Sequence, residues 1–289
     1  MTTFLVTGAN GKLGRHVTQL LLDAQAGTVI AASRDPSKLA DLAAKGAQTR
    51  HADFDDPASL AEAFTGVDRL LLISTDGMAL GQRLAQHSAA IAAAKAAGVG
   101  HVVYTSMPKP ETSAVSFAGD HLGTENTLKA SGLPYTILRN SWYQENLFLA
   151  LPPALKSGQW YSSAGDGRIP HIAHADCARA AAAALIQAPL NQTFTLTGPE
   201  LLTTQQIAAL ASAATGKPLQ VIEVTDEQLA GGMKHAGVPD MLIPMLVSFD
   251  TNTRQGGFDI LTDDVEKLTG QKPSALEAFL AANAQALLA

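Results

Sequence analysis

Charge and cysteine are both scarce in this chain. Charged residues make up 16% of its 289 residues, and a single cysteine, Cys177, is present. One cysteine excludes an internal disulfide. Because Cys177 lies in an alanine-rich helical pattern, we expect a small buried side chain there and not a catalytic thiol. The formal net charge of -6, without any run of lysine or arginine, argues against a nucleic-acid partner.

Long apolar runs are missing as well. No run approaches the roughly 18 residues that a membrane-spanning helix needs, and the first residues lack the basic region and apolar core of a signal peptide. We therefore expect a cytoplasmic protein with no membrane partner. Hydrophobic residues nevertheless amount to 46% of the chain, a share that favours a large folded core and is far from that of disordered chains.

Apolar segments alternate with helical patterns through the first half of the chain. Helices are predicted over residues 57–64, 82–97 and 121–131. Six apolar strands are predicted at residues 3–7, 29–33, 48–52, 68–74, 100–105 and 134–138. Apolar strands separated by helices form parallel sheets that are covered on both faces. We therefore predict an α/β fold with a Rossmann-like doubly wound parallel sheet.

The regularity weakens after Arg139. A helix is predicted over residues 176–187, and short strands over 193–196 and 219–224. We predict an NAD(P)-binding Rossmann domain over residues 1–139. Residues 140–289 are predicted to form a smaller C-terminal α/β lobe that binds substrate and returns some elements to the main sheet.

A glycine-rich segment follows the first predicted strand and opens the first helix. Three glycines there are spaced three residues apart, which lets the backbone pass close to a pyrophosphate that rests on helix amides. A glycine turn without a ligand is the alternative. The predicted cofactor-binding residues of this segment are Gly8, Asn10, Gly11, Lys12, Leu13 and Gly14.

The residue at the end of the second strand indicates which cofactor binds. NAD sites commonly carry an acidic residue there, whereas this chain has Arg34, which would pair with a 2'-phosphate, and Lys38 one turn later. Asp35 stands before a proline and is better explained as a helix N-cap. NADP(H) is therefore favoured over NAD(H), unless Arg34 is only a solvated charge. Asp53 and Ser74 follow the next two strands, where the adenine and nicotinamide halves would pass, or are simple turn residues.

The pattern as a whole resembles the NmrA-like branch of the atypical short-chain dehydrogenases/reductases. Within that branch it is most similar to the bacterial NAD(P)H:quinone oxidoreductases of type 2, and triphenylmethane-dye reductases share much of it. The resemblance covers nearly the whole chain and implies hydride transfer from a dinucleotide directly to an acceptor, although some relatives are cofactor-sensing regulators. The segments that carry it are VTGANGKLG (6–14), LLLIS (70–74), AAKAAGV (93–99), YTS (104–106), HLGTE (121–125) and LRNSWYQEN (138–146).

The usual Tyr-x-x-x-Lys pair of short-chain dehydrogenases is replaced by His121 and Glu125. A glutamate raises the pKa of a neighbouring acid, so alcohol oxidation by the usual route is disfavoured. The two residues are alternatively an ion pair on one helix face. A quinone mainly needs to be held near the nicotinamide beside donors for its developing oxyanion. Tyr104, Ser106 and His121 are therefore candidate catalytic residues.

Candidate substrate-binding residues follow the sixth strand, because ligands gather at the carboxyl ends of parallel strands. They are Asn140, Trp142 and Tyr143, of which the two aromatics are alternatively core residues between the lobes. No residues stand at metal-ligand spacing, so no metal is predicted.

We predict an NADPH-dependent reductase of a quinone or similar small aromatic acceptor, without flavin or metal. The alternatives are a cofactor-sensing regulator with a protein partner and a triphenylmethane or azo dye reductase. The sequence is compatible with a homodimer.

Overall fold

The computed structural model describes residues 1–77, 79, 81–189 and 191–289. Its strands are β1 (Thr3–Val6), β2 (Thr28–Ser33), β3 (Gln48–His51), β4 (Arg69–Leu72), β5 (His101–Ser106), β6 (Tyr135–Asn140), β7 (Gln159–Ser162), β8 (Arg168–Ile169), β9 (Gln192–Leu196), β10 (Leu202–Thr203) and β11 (Gln220–Glu223). Its α-helices are α1 (Lys12–Asp23), α2 (Ala40–Ala44), α3 (Pro57–Ala63), α4 (Gln82–Ala96), α5 (Ala118–Ala130), α6 (Leu151–Ser157), α7 (His174–Ile186), α8 (Thr204–Thr215), α9 (Asp226–His235), α10 (Ile243–Arg254), α11 (Asp264–Thr269) and α12 (Leu276–Leu288). None of these described helices is long and apolar enough to cross a bilayer.

Seven strands form one parallel sheet in the order β3-β2-β1-β4-β5-β6-β9. The predicted Rossmann-like fold is thus confirmed. The order reverses at β1, where the chain places β2 and β3 on one side and β4 to β6 on the other. Ligands of such sheets bind at this reversal, outside the carboxyl ends of the strands.

Both faces of the sheet are covered by helices, which explains why its strands are apolar. On one face, Leu13, Val17 and Leu21 of α1 pack with α7 against the sheet. The other face packs against α3, α4 and α5. Cys177 on α7 is 1% exposed, as expected for a small buried side chain. The prediction of six apolar strands was wrong for β3, which is mostly exposed because it is the edge strand of the sheet.

The second half of the chain contributes to the sheet and also builds a separate core. β9 pairs with β6 at the edge opposite β3, so that Thr193 lies beside Ile137. β7 pairs with β11, and β8 with β10, in two small sheets. Helices α6, α8, α10 and α12 pack around a third hydrophobic cluster, to which Trp142 and Trp160 also belong. This second core lies beyond the carboxyl end of β6, and Trp142 is the second residue after that strand.

Candidate active site

The glycine loop joins the carboxyl end of β1 to α1 at the sheet reversal. Gly8 has φ +61°, a value that favours glycine. A Cβ at Gly14 would lie 2.8 Å from the Gly8 carbonyl carbon and 2.9 Å from the Ala9 Cα, so only glycine fits. At the N-terminus of α1, Gly11 provides no side-chain cap, and the first turn carries no acidic residue. Amides of such a turn are available to an anion, and these features fit a dinucleotide pyrophosphate.

The end of β2 lies next to this loop. Arg15 of α1 donates to the Lys38 carbonyl oxygen at 3.0 Å and forms an ion pair with Asp41. Asp35 caps the short 3₁₀ helix that follows, since its carboxylate accepts the Ser37 amide at 3.1 Å, and the predicted N-cap is confirmed. Arg34 and Lys38 are exposed beside the loop. Two exposed cations at this place are suited to an anionic group on the adenosine ribose.

Hydroxyl groups connect the carboxyl ends of β1, β4 and β5. Thr7 accepts the Ile73 amide at 3.0 Å and donates to the Leu71 carbonyl oxygen. Thr105 accepts the Ser74 amide at 2.9 Å. Ser74 is therefore held at the end of β4, beside the glycine loop. Asp53 follows β3, the edge strand beside β2. Its carboxylate accepts the Asp55 amide in a tight turn.

A buried hydrogen-bond network lies behind the segment that follows β4. The Thr75 amide donates to His87 Nε2 at 3.0 Å, which leaves the His87 proton on Nδ1, 2.9 Å from Thr124 Oγ1. The Tyr104 hydroxyl lies 2.8 Å from His121 Nδ1 and 3.5 Å from His87 Nδ1. The same four side chains thus connect β5, α4 and α5 to one another and to the chain at Thr75.

The titratable groups of this network are neutral at pH 7. Burial, together with the charge of the nearby Arg83, lowers the pKa of His87 to about 4. Burial also lowers the pKa of His121 to about 3, with His87 and Arg83 acting in the same direction. The pKa of the Tyr104 hydroxyl is raised by burial. Arg83 itself donates to the carbonyl oxygens of Thr75 and Gly77, so it fixes the same segment.

Glu125 lies in a second buried cluster, and the alternative of a His121–Glu125 ion pair was wrong. Its carboxylate accepts the Ser106 hydroxyl at 2.7 Å and two Arg139 nitrogens at 2.8 and 2.7 Å, and it pairs with Lys129 at 3.3 Å. Tyr104 and Ser106 do share one side of β5, but both bond side chains of α5. A fully buried glutamate is stable here because its oxygens are satisfied by these donors.

A cavity of about 700 Å³ lies in the second core, beyond the carboxyl ends of the sheet. Aromatic and aliphatic side chains dominate its wall, including Trp142, Trp160, Tyr161 and Leu229. Trp142 packs against Phe249 of α10, with 3.9 Å between the ring centroids and an angle of 39° between the ring planes. The volume and the apolar wall are typical of a site for a small flat ligand.

The three residues predicted to bind substrate are placed differently. Trp142 lines the cavity. Asn140 donates its side-chain amide to the Tyr143 hydroxyl at 2.9 Å, and the Tyr143 ring packs against His174 with 4.1 Å between centroids. Glu145 accepts the His174 amide at 3.0 Å and so caps α7. These contacts therefore fix the first residues of the segment that leads from the end of β6 to the cavity.

Sequence reasoning missed a pair of side chains on α4 and one further residue on α10. Arg83 and His87, one turn apart on α4, hold the segment after β4, and their spacing behind the fourth strand was the available signal. The other is Asp250 of α10, which lines the cavity and accepts the Ser162 hydroxyl and the Ser163 amide, both at 2.8 Å. Nothing local in the sequence marks Asp250. In the part of the chain that the structure describes, no three His, Cys, Asp or Glu side chains are grouped to hold a metal ion.

Comparisons with known proteins cover almost the whole chain. The model of the NmrA-like family matches residues 1–280. Quinone oxidoreductase 2 of Escherichia coli is 38% identical over 94% of this chain and 95% of that protein. Its NADPH complex superposes with a TM-score of 0.92 and 37% identity, over 96% of this chain and 99% of that one. Triphenylmethane reductase of Citrobacter sp., solved with NADP(H), superposes with a TM-score of 0.91 and 32% identity, over 97% and 99%.

Proposed function

The chain belongs to the NmrA-like family, and we propose that it is an NADPH-dependent reductase of quinones and similar conjugated aromatic acceptors. One observation carries the proposal. The glycine loop and the aromatic cavity lie outside the carboxyl ends of the same sheet, in a chain that matches an NADPH-dependent quinone oxidoreductase over 96% of its length. A dinucleotide and a flat acceptor bound at these two places share one edge of the fold.

The cofactor-binding residues in this proposal are those of the loop and of the neighbouring strand ends. Gly8, Gly11 and Gly14 allow close approach of the backbone, and the first amides of α1 bind the pyrophosphate. Arg34 and Lys38 bind the 2'-phosphate, which makes NADPH the preferred cofactor. Bound NADPH supplies a hydride from its nicotinamide ring. The remaining members of the proposed site are Asn10, Lys12, Leu13, Asp53 and Ser74.

Tyr104 and His121 are positioning residues in this proposal. Their polar atoms bond each other, and both side chains are buried between β5 and α5. Through His87 and Thr124 they fix the Thr75 amide, and therefore the segment that would lie along the nicotinamide. Ser106 is likewise held by Glu125. A quinone accepts hydride without prior protonation, so a solvent proton can complete its reduction.

The cavity orients the acceptor. Trp142 and Trp160 present flat apolar faces, which suit a planar conjugated ring. The match to triphenylmethane reductase favours triphenylmethane dyes as a second class of acceptor, since they are also conjugated aromatic compounds. A homodimer and a cytoplasmic location stay predictions from the sequence.

The test is steady-state oxidation of NADPH by purified protein in which flavin is undetectable. Benzoquinone, a naphthoquinone and a triphenylmethane dye serve as acceptors, each with a control that lacks protein. Saturable NADPH oxidation, with a lower KM for NADPH than for NADH, is expected. Tight NADPH binding without oxidation by any acceptor would favour a cofactor-sensing regulator instead.

A further inference from the structure

The cavity wall carries one formal charge. Asp250 is the single carboxylate among the lining residues, and neither lysine nor arginine lines the cavity in the described part of the chain. The rest of the wall is aromatic, aliphatic or neutral, and both tryptophans of the chain, Trp142 and Trp160, belong to it. Burying a carboxylate in an apolar wall costs free energy unless hydrogen-bond donors or a cation compensate its charge.

The carboxylate is held in a defined orientation. The Ser162 hydroxyl and the Ser163 amide both donate to Asp250 Oδ2 at 2.8 Å. No described residue donates to the other oxygen, Oδ1. Two bonds on one oxygen fix the side chain on the cavity wall and leave Oδ1 available to a ligand.

Neighbouring charges do not neutralise Asp250. The cation near it, Arg254, binds both oxygens of Asp226 at 3.0 and 2.8 Å and also donates to the Ser163 carbonyl oxygen. Arg254 and Asp226 are thus a neutral pair. Burial raises the pKa of the Asp250 carboxyl and Asp226 adds to that rise, while the bonds from Ser162 and Ser163 and the charge of Arg254 oppose it. A ligand cation would supply the missing countercharge.

We propose that Asp250 is a specificity-determining residue, which makes the cavity prefer aromatic acceptors that carry a positive charge over neutral or anionic acceptors of the same shape. The proposal rests on the proposed function for the aromatic class of acceptor. Indole and phenol rings add to the preference, because their faces attract cations. Trp142, Trp160 and Tyr161 supply such rings in the wall of the same cavity.

The test measures binding and does not depend on turnover. The probes are three naphthoquinones with the same short side chain, which ends in a trimethylammonium, a hydroxyl or a sulfonate group. Because both tryptophans line the cavity, saturable quenching of tryptophan fluorescence reports its occupancy. Each probe is titrated at about physiological salt, where long-range effects of the net charge are screened, with saturating NADP⁺ and again without it.

The wild-type protein is expected to bind the trimethylammonium probe about tenfold more tightly than the hydroxyl probe, and the sulfonate probe most weakly. Asp250→Asn should abolish this order, while its amide oxygen still accepts the bonds from Ser162 and Ser163. Asp240→Asn is the matched control, because Asp240 is an exposed carboxylate of the same lobe that pairs with Lys234 outside the cavity. This control should keep the wild-type order.

Equal affinities of the wild type for the three probes would overturn the proposal without any variant. A preference that survives Asp250→Asn would overturn it as well. Failure of the proposed function has a different signature, since NADPH would then stay reduced with every acceptor while the charge preference in binding persists.

Discussion

Replacing Tyr104 with phenylalanine tests whether this residue positions the active site or transfers a proton. The hydroxyl is fully buried and lies 2.8 Å from His121 Nδ1. His121 is neutral, and its Nδ1 bonds the phenol as donor or acceptor according to the tautomer. Phenylalanine keeps the ring and its packing against His87, whose centroid lies 5.4 Å away. The substitution therefore removes the bond to His121, the longer contact with His87 at 3.5 Å, and little else.

The loss leaves the buried His121 Nδ1 without its hydrogen-bond partner. An unsatisfied buried donor or acceptor costs about 1–3 kcal/mol. A chain of this size loses about 2–4 °C in Tm per kcal/mol. We expect Tyr104→Phe to lower the free energy of unfolding by about 1–3 kcal/mol. Tyr161→Phe is the control, because the Tyr161 side chain is 51% exposed and its hydroxyl bonds only Gln159 at the surface. Its cost should stay below about 0.5 kcal/mol.

Urea unfolding of the three proteins without NADPH measures the stability difference, and NADPH oxidation with a quinone measures kcat. As a positioning residue, Tyr104 should change kcat at saturating NADPH by less than about tenfold. Removal of a proton donor typically costs about 100-fold or more in rate. Unchanged stability together with a loss of that size would refute the positioning role.

Three further predictions concern Arg34, Gly14 and His87. Arg34→Ala should raise the Kd for NADPH about tenfold or more and leave that for NADH nearly unchanged; equal losses for both, in fluorescence titrations, would remove the 2'-phosphate contact. Gly14→Ala should abolish NADPH binding in the same titrations, because its Cβ would lie 2.9 Å from the Ala9 Cα; wild-type affinity would contradict the pyrophosphate site. The pKa of His87 is about 4 in the folded protein and about 6.5 when unfolded, so the unfolded chain binds the proton first. Stability should therefore fall between pH 6.5 and pH 4, by up to about 1.4 kcal/mol per pH unit for this group, and His87→Gln should reduce that slope in urea unfolding.

The sequence predicts features that short stretches of chain determine by themselves. Gly8 to Gly14 bring the turn and the start of the helix together, and Asp35 caps the next helix through an amide two residues away. Continuous apolar runs indicate buried strands, so five of the six predicted positions in the sheet are indeed covered on both faces. The edge position of β3 depends on which strands pair, and periodicity contains no information on that.

Contacts between distant parts of the chain could not be predicted in this way. Asp250 meets Ser162 across 88 residues, and no spacing rule connects an aspartate on a late helix to a cavity that begins at Trp142. His121 and Glu125 share a helix face by their spacing, yet β5 and β6 supply their partners, Tyr104 and Arg139. Partner choice is decided by packing, which the local sequence does not contain.

Direct hydride transfer from NADPH to an acceptor bound beside it is the central claim, and single-turnover kinetics tests it most directly. Flavin-free protein in excess over NADPH is mixed with a naphthoquinone, and the reduced-nicotinamide absorbance is followed with normal NADPH and with NADPH that carries deuterium at C4. We predict a single decay of the absorbance that is slower with the deuterated cofactor. Bound NADPH whose absorbance stays constant after mixing would contradict the claim.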